Sequence, residues 1–285
     1  MKTVLGIGTA GANIVTQLAK YKQYKPYLLS PEVAKNSKYR FKLPEFSSPE
    51  DYEKMQVEKL HKWLDSIETS CTVFLCGASN SSGATLRALE HLHKKGLKIE
   101  IVYFAPEVEV LSEIKSLNQR AVMGILQNYA RSGVFEKICL VSNLSLEVLA
   151  GSTNVFEYYK QINEVFVSTY YMLDVFKNTK PITSTFTNPK ESCRITTIGL
   201  GTLEEAESMF FPFDQEVEVV YYFGINEERL KTEENLFRKI TNKVKSRITD
   251  NTRVSFGIYP TQYEEDYIYV EYFSPKIQEL KETNE

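Results

Sequence analysis

The sequence predicts an α/β protein with a parallel-sheet domain, a long central helix and a smaller α+β domain. Three observations predict this order. In the first half, short apolar runs alternate with helical patterns, as in right-handed β-α-β units of a parallel sheet. A long helical pattern follows, and after it strand patterns enclose one amphipathic helix. We predict parts at residues 1–153, 154–189 and 190–275, with a short tail at 276–285.

Apolar runs that end at Gly, Pro, Ser or Asn predict the strands of the first domain. They cover 3–7, 27–29, 71–76, 98–104 and 137–142. Helical patterns lie between them, at 13–20, 49–66, 83–95 and 111–129. Ligands of parallel sheets bind beyond the carboxyl ends of the strands, so the loops at 6–13 and 77–83 are the first candidates for a site.

The second half has a different pattern. The long helix is predicted at 154–177, and 182–188, between two prolines, is predicted to be a loop. Strands are predicted at 194–198, 215–223, 253–259 and 267–273, around a helix at 227–248. One helical stripe should be buried, made of Leu230, Phe237, Ile240, Val244 and Ile248.

Charge and hydropathy exclude some classes of function. The chain has 285 residues and a formal charge of −3, so there is no electrostatic reason to expect a nucleic-acid partner. No apolar run approaches the ~18 residues that span a bilayer. Met1 and Lys2 lead directly into a strand rather than an apolar signal segment. We therefore expect a cytoplasmic protein without membrane contact.

Cysteine and histidine patterns indicate neither disulfides nor a metal site. The four cysteines form no CxxC pair, and apolar strands flank most of them, so we expect buried free thiols. His61, His91 and His93 lie in helical patterns rich in Lys and Glu, without Cys or carboxylate at ligand spacing. These histidines are predicted to lie on solvated helix faces.

The first glycine-rich loop follows a strand and opens a helix. Gly6-Ile-Gly8-Thr-Ala-Gly11 fits the GxGxxG pattern of dinucleotide-binding folds, in which glycines admit a pyrophosphate. Such a Rossmann-type site also needs an acidic residue near the end of the second strand, and Glu32 is the candidate. An NAD-binding oxidoreductase is therefore one interpretation.

The second loop consists of small residues between a strand and a helix. Cys76 is followed by Gly-Ala-Ser-Asn-Ser-Ser-Gly83, which would expose backbone N–H groups at a helix N-terminus, where an anion binds. The serines that replace glycine at Ser79 and Ser81 would each cost about 1 kcal/mol or more if the turn requires positive φ there. Two such loops facing each other favour a mononucleotide between them.

The two loops, the long helix and the small α+β domain together resemble the tubulin/FtsZ superfamily. Its first loop reads GxGGxGxN and its second GGGTGSG. Gly6, Gly8, Gly11 and Asn13 match the first pattern, and Gly77, Ser82 and Gly83 keep the second, while residues 78–81 depart from it. The resemblance implies GTP or GDP as ligand and leaves open whether Mg²⁺ enters the site. The implied nucleotide-binding residues of the loops are Gly8, Thr9, Ala10, Gly11, Asn13, Gly77, Ala78, Ser79, Asn80, Ser81, Ser82 and Gly83.

Three further residues are assigned by the resemblance alone. Glu113 corresponds to the acid that contacts the ribose, after the strand that precedes Pro106. Asn143 follows the next strand, as an Asn does in the family. Asn163, on the long helix, corresponds to the Asn that recognises the guanine edge. A helix carboxylate on the surface and a structural Asn are the alternatives.

One departure concerns catalysis. Family members that hydrolyse GTP carry acidic residues after the long helix, which orient the attacking water on the nucleotide of the next subunit. The corresponding residues here are Thr183-Ser-Thr-Phe-Thr-Asn188, without a carboxylate. We therefore predict that GTP or GDP binds weakly or not at all, that hydrolysis is impaired and that no residue is catalytic.

The resemblance implies that the chain associates with itself head to tail and forms filaments. A second hypothesis is a non-polymerising scaffold of the same fold that binds a protein partner through its tyrosine-rich second domain. Exposed aromatic rings would favour that hypothesis. The NAD-binding oxidoreductase is the third, and it lacks a convincing proton-transfer pair.

Overall fold

The protein is described here as a computed structural model of residues 1–280. These residues form two compact units. Met1–Leu144 belong to the first unit together with Leu280, and Ser145–Glu279 form the second. The predicted tail at 276–285 lies outside the described residues from position 281 onward.

The first unit is built on a parallel sheet. Its strands are β1 (Lys2–Ile7), β2 (Tyr24–Ser30), β3 (Arg40–Lys42), β4 (Cys71–Cys76), β5 (Ile99–Ala105) and β6 (Lys137–Ser142). They lie in the order β3-β2-β1-β4-β5-β6, with each neighbouring pair parallel. The five predicted strands are confirmed. The sequence did not predict β3, which is short and mostly exposed at the sheet edge.

Helices connect these strands. They are α1 (Gly8–Leu18), α2 (Pro49–Lys54), α3 (Glu58–Leu64), α4 (Ser82–Lys94) and α5 (Glu113–Arg131), followed by α6 (Asn143–Ala150). The single helix predicted at 49–66 is wrong, because Met55 adopts an extended conformation (ψ 151°) that ends α2. The helix α6 was not predicted.

The second unit contains a mixed sheet. Its strands are β7 (Thr183–Ser184), β8 (Ile195–Gly201), β9 (Ser208–Met209), β10 (Glu218–Asn226), β11 (Arg253–Thr261) and β12 (Tyr267–Ser274). They lie in the order β8-β12-β10-β11-β7, and β9 pairs with β8. β10 and β11 are parallel, so the chain between them must cross over, which it does through α8 (Glu227–Thr232) and α9 (Leu236–Arg247).

The observed crossover differs in two details from the predicted helix at 227–248. Glu233 is extended (ψ 100°) and separates α8 from α9, which shifts the helical phase. As a result Leu236, Ile240 and Val244 are buried against the sheet, whereas Phe237 and Ile248 are 57% and 53% exposed. Leu230 is partly buried against the same core.

An ion pair links the C-terminal end of the long helix α7 (Tyr158–Lys177) to the sheet of its unit. Lys177 Nζ lies 2.6 Å from Glu271 Oε1, and the hydroxyl of Tyr222 donates to Glu271 Oε2 at 3.0 Å. Burial, together with the Glu271 charge, raises the pKa of Tyr222 far above its ordinary value. The buried carboxylate is thus paired and hydrogen-bonded, which an ionised group in a core requires.

The cysteines are free thiols, as predicted. Cys71, Cys139 and Cys193 are buried and Cys76 is half-buried. Among residues 1–280, no group of three or more His, Cys, Asp or Glu side chains is placed to hold a metal ion. Within the same residues no helix combines the length and apolar character needed to cross a bilayer.

Candidate functional site

The first loop turns from β1 into α1 at Gly8. This residue has a φ of +72°, a conformation that residues with a Cβ rarely adopt. The turn lets α1 start at once, so the helix begins at Gly8 and not at the predicted position 13. Gly8 and Gly11 are buried, whereas the predicted ligand residues Thr9, Ala10 and Asn13 are exposed.

The other two glycines of the first loop are required by packing. A Cβ on Gly6 would lie 2.3 Å from the carbonyl oxygen of Gly11, and one on Gly11 would lie 2.1 Å from that of Phe74. Both glycines let α1 approach β1 and β4 closely. Part of the GxGxxG pattern is therefore explained by close packing of a helix on strands, which is also the role of the third glycine in dinucleotide-binding folds.

The second loop turns without any residue in the left-handed region. No residue of 1–280 other than glycine has positive φ, so the predicted strain at Ser79 and Ser81 is wrong. The turn instead closes through internal hydrogen bonds. The N–H of Ser82 donates to the carbonyl of Ser79, and that of Ala84 to the carbonyl of Ser81, each at 3.0 Å. Serine is accommodated there at no conformational cost.

Two serine side chains of the second loop lie directly against Gly8. A Cβ on Gly8 would be 2.6 Å from Ser81 Oγ and 3.4 Å from Ser79 Oγ. The two hydroxyls hydrogen-bond to each other at 2.7 Å, and Ser81 is only 4% exposed. The second glycine of a GxGxxG loop normally leaves its open side to a pyrophosphate. Here serine hydroxyls fill that side, so the two loops are in contact.

Two glycines of the second loop are also required by their neighbours. A Cβ on Gly77 would lie 2.0 Å from the hydroxyl oxygen of Tyr103, which donates to the carbonyl of Gln119 at 3.1 Å. Burial raises the pKa of Tyr103 well above its ordinary value, so the phenol stays neutral. A Cβ on Gly83 would lie 2.0 Å from the carbonyl oxygen of Pro49.

The segment before α2 also supports the second loop. Asn80 Nδ2 donates to the carbonyl of Phe46 at 3.4 Å, and the Tyr52 hydroxyl donates to the carbonyl of Pro44 at 2.8 Å. By the family resemblance, residues 42–49 stand where a glycine-bearing loop near the phosphate is expected, and they contain no glycine. Sequence reasoning did not place Tyr103 at this site, because its contact with Gly77 joins residues far apart in the chain.

The acidic candidate of the Rossmann interpretation contacts the first loop. Thr9 Oγ1 donates to Glu32 Oε1 at 2.8 Å, on the exposed side of α1.

Cys76, at the end of β4, is the nearest thiol in the chain to the second loop. Burial raises its pKa, which disfavours the nucleophilic thiolate.

The residues assigned by resemblance are distributed over both units. Glu113 is the exposed first residue of α5, and Asn143 is the half-buried first residue of α6. Asn163 is half-buried on α7, in the second unit. Of the predicted nucleotide-binding residues, Ser79 and Ser81 lie in contact with Gly8. The roles of Glu113, Asn143 and Asn163 stay predictions.

The segment predicted as a loop at 182–188 is partly a strand. β7 pairs antiparallel with β11, where Thr183 faces Ile258 and Ser184 faces Gly257. The ring of Phe186 covers Gly257, where a Cβ would lie 2.5 Å from the ring. The N–H of Thr185 donates to the carbonyl of Phe256 at 2.8 Å. The carboxylate-free segment therefore lies along an edge of its own sheet.

The site has hydrogen-bond donors that suit a phosphate, but one side of Gly8 is occupied by serine side chains. The hydroxyls of Ser79 and Ser81 are hydrogen-bond donors beside a helix N-terminus, which suits an anion. However, Ser81 Oγ lies 2.6 Å from the position that a Cβ on Gly8 would take, so that side of Gly8 is occupied.

No protein-family model matches the sequence, and no curated protein does either. Solved structures do match in fold. An empty FtsZ dimer from M. jannaschii aligns at a TM-score of 0.69 and 14% identity, over 95% of this chain and 87% of FtsZ. A GTPγS-form protofilament of TubZ from Bacillus thuringiensis serovar israelensis aligns at 0.72 and 14%, over 96% and 86%. The GTPγS-bound protofilament of CetZ2 from Haloferax volcanii aligns at 0.71 and 12%, over 95% and 92%.

These similarities confirm the predicted fold class. The chain has the tubulin/FtsZ fold over nearly all of its length. The identities are far below the level at which sequence alone indicates shared activity, so the likeness concerns the fold.

Proposed function

We propose that this protein is a divergent tubulin/FtsZ-like protein that associates head to tail into filaments. The observation that carries the proposal is the fold, which aligns over about 95% of the chain with structures described as protofilaments or filaments of TubZ and CetZ2. A head-to-tail contact uses two different surfaces of each subunit. Where its rotation does not close a ring, it produces an open filament.

The proposal includes weak binding of GTP or GDP. The hydroxyl pair of Ser79 and Ser81 supports it, because this pair fills the open side of Gly8. The N-terminus of α4 and the serine hydroxyls still supply donors for an anion, so binding is weakened rather than abolished. Asn143 and Asn163 keep the nucleotide-contacting roles that the resemblance implies.

Impaired hydrolysis is the third part of the proposal. The segment of residues 183–188 carries no carboxylate to orient water, and it is bound along β11. Loss of a general base or water-orienting acid typically slows a reaction about 10²-fold or more. Turnover should therefore stay slow even where subunits have assembled.

Negative-stain electron microscopy with and without GTP, together with a phosphate-release assay, tests the proposal. We expect filaments and slow phosphate release. Rapid turnover would contradict the impaired-hydrolysis claim, and a strict monomer at high concentration with nucleotide would contradict filament formation. A thermal-shift comparison of GTP, GDP and NAD(H) separates this proposal from a Rossmann-type oxidoreductase, which predicts a shift with NAD(H) alone.

The tyrosines of the second unit's sheet give the scaffold hypothesis little support. It required exposed aromatic rings among the tyrosines of the sheet. Of the seven tyrosines in residues 190–280, five are buried, Tyr267 is half-buried and Tyr263 is 47% exposed; the buried ones are Tyr221, Tyr222, Tyr259, Tyr269 and Tyr272. We therefore retain the filament-forming protein as the proposed function.

One substitution tests directly whether Ser81 Oγ hinders nucleotide binding beside Gly8. Ser81→Ala removes the oxygen that touches Gly8 and keeps the buried Cβ, so the affinity for GTP measured by titration calorimetry should rise about three- to tenfold. Ser132→Ala, an exposed serine at the end of α5, should leave the affinity unchanged. A fall in affinity with Ser81→Ala would show that this hydroxyl is a ligand and not an obstacle.

A further inference from the structure

Helix α5 carries a second apolar face that is exposed in the described part of the chain, residues 1–280. Its buried face includes Val122, Met123 and Leu126. On the opposite side Ile114, Leu117, Ile125 and Tyr129 are 71%, 57%, 37% and 44% exposed, and Ala121 is exposed as well. The spacing of three and four residues places these five side chains on one stripe. We call them the α5 stripe; it is about 22 Å long at 1.5 Å per residue.

We propose that the α5 stripe is an isologous contact between two copies of this chain, with the two α5 helices antiparallel and Ala121 at the two-fold axis. In this register Leu117 of one copy faces Ile125 of the second copy. Ile114 likewise faces Tyr129. Ala121 lies at the centre, where a small side chain lets two helices approach closely, and Gly124, beside it, has no atom within 4 Å of its Cβ position.

The charges at the two ends of α5 favour a second copy of this chain as the partner that covers the α5 stripe. Glu113 and Arg131 are both exposed and lie 18 residues apart, which is five full turns, so they are on the same edge of the helix. A two-fold axis keeps that edge on the same side in both copies. Each Glu113 therefore meets Arg131 of the second copy. The carboxylate at a helix N-terminus and the guanidinium at a helix C-terminus also complement the helix dipoles.

Shape at one end of the stripe supports the same register. Tyr129 lines one side of a groove of about 610 Å³ whose other walls are Val134, Phe135 and mainly residues of α4, including the polar Arg87, Glu90 and His93. In the antiparallel arrangement Ile114 of the second copy lies opposite Tyr129. Val110, four residues before Ile114, is 74% exposed as well, so the apolar surface continues beyond the N-terminus of α5.

A cysteine placed at the axis gives a geometric test. Helices packed 8–10 Å apart, with Cα atoms 2.3 Å from each axis, bring the two Cα atoms of residue 121 to about 3.5–5.5 Å, within reach of a disulfide. Ala121→Cys should therefore form a cross-linked dimer under mild oxidation. The matched control is Ile114→Cys on the same stripe, whose two copies would be about 21 Å apart and should not cross-link.

Sedimentation velocity without nucleotide gives the second test. Leu117→Asp buries a charge in the contact and should raise the dimer dissociation constant about tenfold or more. Ile248→Asp, at a position of similar exposure in the second unit, should leave it unchanged. Circular dichroism checks that both variants are folded.

Two outcomes would overturn the contact. Equal cross-linking of Ala121→Cys and Ile114→Cys would indicate a parallel or random contact, and no cross-linking beyond the wild type would exclude the contact itself. The dimer does not depend on head-to-tail assembly. Because filaments are scored separately by electron microscopy, failure of one proposal is distinguishable from failure of the other.

Discussion

At the scale of single residues, Gly8 is the position where the two loops of the candidate site meet. Its positive φ and its contact with Ser81 Oγ penalise a side chain for different reasons. Gly8→Ala should therefore lower the free energy of unfolding by about 2–4 kcal/mol, from about 1 for the backbone conformation and about 1–3 for overpacking. Chemical denaturation measures it.

The chain offers a matched control for this prediction. Gly96 has a φ of +78° and no atom within 4 Å of its Cβ position, so Gly96→Ala should show only the backbone cost of about 1 kcal/mol. In a Ser81→Ala background the Gly8→Ala cost should fall toward that value. Equal costs for Gly8→Ala with and without Ser81 Oγ would show that the two loops are not in contact in solution.

The same residues show what one sequence can predict of a site. The glycines, the serines and the absence of a carboxylate at 183–188 are visible as patterns in the sequence. The contacts of Gly8 with Ser81 and of Gly77 with the Tyr103 hydroxyl are not, because they join residues far apart in the chain. The occupied side of Gly8 could therefore not have been predicted, although the two loops could.

At the scale of elements, the contact between α3 and α4 includes a stacked histidine pair. The rings of His61 and His91 are 4.1 Å apart and nearly parallel, and His91 Nε2 lies 2.8 Å from Asp65 Oδ1. Burial lowers the pKa of His61, and the charges of His91 and Arg87 lower it further, against the opposing charges of Asp65 and Glu58. His61 Nε2 has no hydrogen-bond partner among residues 1–280.

The sign of the pH effect follows from that direction. A histidine with a lowered pKa binds its proton more weakly in the folded state, so stability is full above the unfolded pKa of about 6.5 and falls below it. The midpoint of thermal unfolding should fall more between pH 7.5 and 5.5 for the wild type than for His61→Phe, which keeps a stacked ring. His93→Gln, on the exposed side of α4, should behave like the wild type. Identical pH dependence of wild type and His61→Phe would contradict the assignment.

The strand β7 gives a second prediction at this scale. Phe186 covers Gly257, so Gly257→Ala would force the ring away and release the segment from β11. Limited trypsin digestion after Lys190 should then become faster. Gly133→Ala, with open space around its Cβ position, should leave the digestion rate unchanged. Unchanged digestion with Gly257→Ala would show that Phe186 does not hold the segment.

The elements also show why some boundaries could not be predicted. Strands β4 and β6 are apolar runs with clear ends, and both were predicted at their observed bounds. The breaks at Met55 and Glu233 carry no Gly or Pro, so the helical pattern runs through them. β7 is a polar segment that becomes a strand only because the edge of β11 supplies partners.

At the scale of the whole molecule, the order of elements carried more information than any motif. The tubulin/FtsZ fold was predicted from that order and from a few glycines, and the structural similarities confirm it at 12–14% identity. A fold survives such divergence because apolar spacing and chain topology are preserved by many different sequences. The α5 stripe could not be interpreted in this way, since its exposure is known only once the helix is placed.

The last prediction concerns how the two proposed contacts combine. A head-to-tail contact extends a filament, and an isologous contact joins two chains and then stops. If both occur, the α5 stripe recurs on every subunit of a filament, and many weak contacts act together. We therefore expect wild-type filaments to associate laterally in electron micrographs, and Leu117→Asp to form single filaments. Ile248→Asp should associate like the wild type. Loss of all filaments with Leu117→Asp would place α5 in the head-to-tail contact instead.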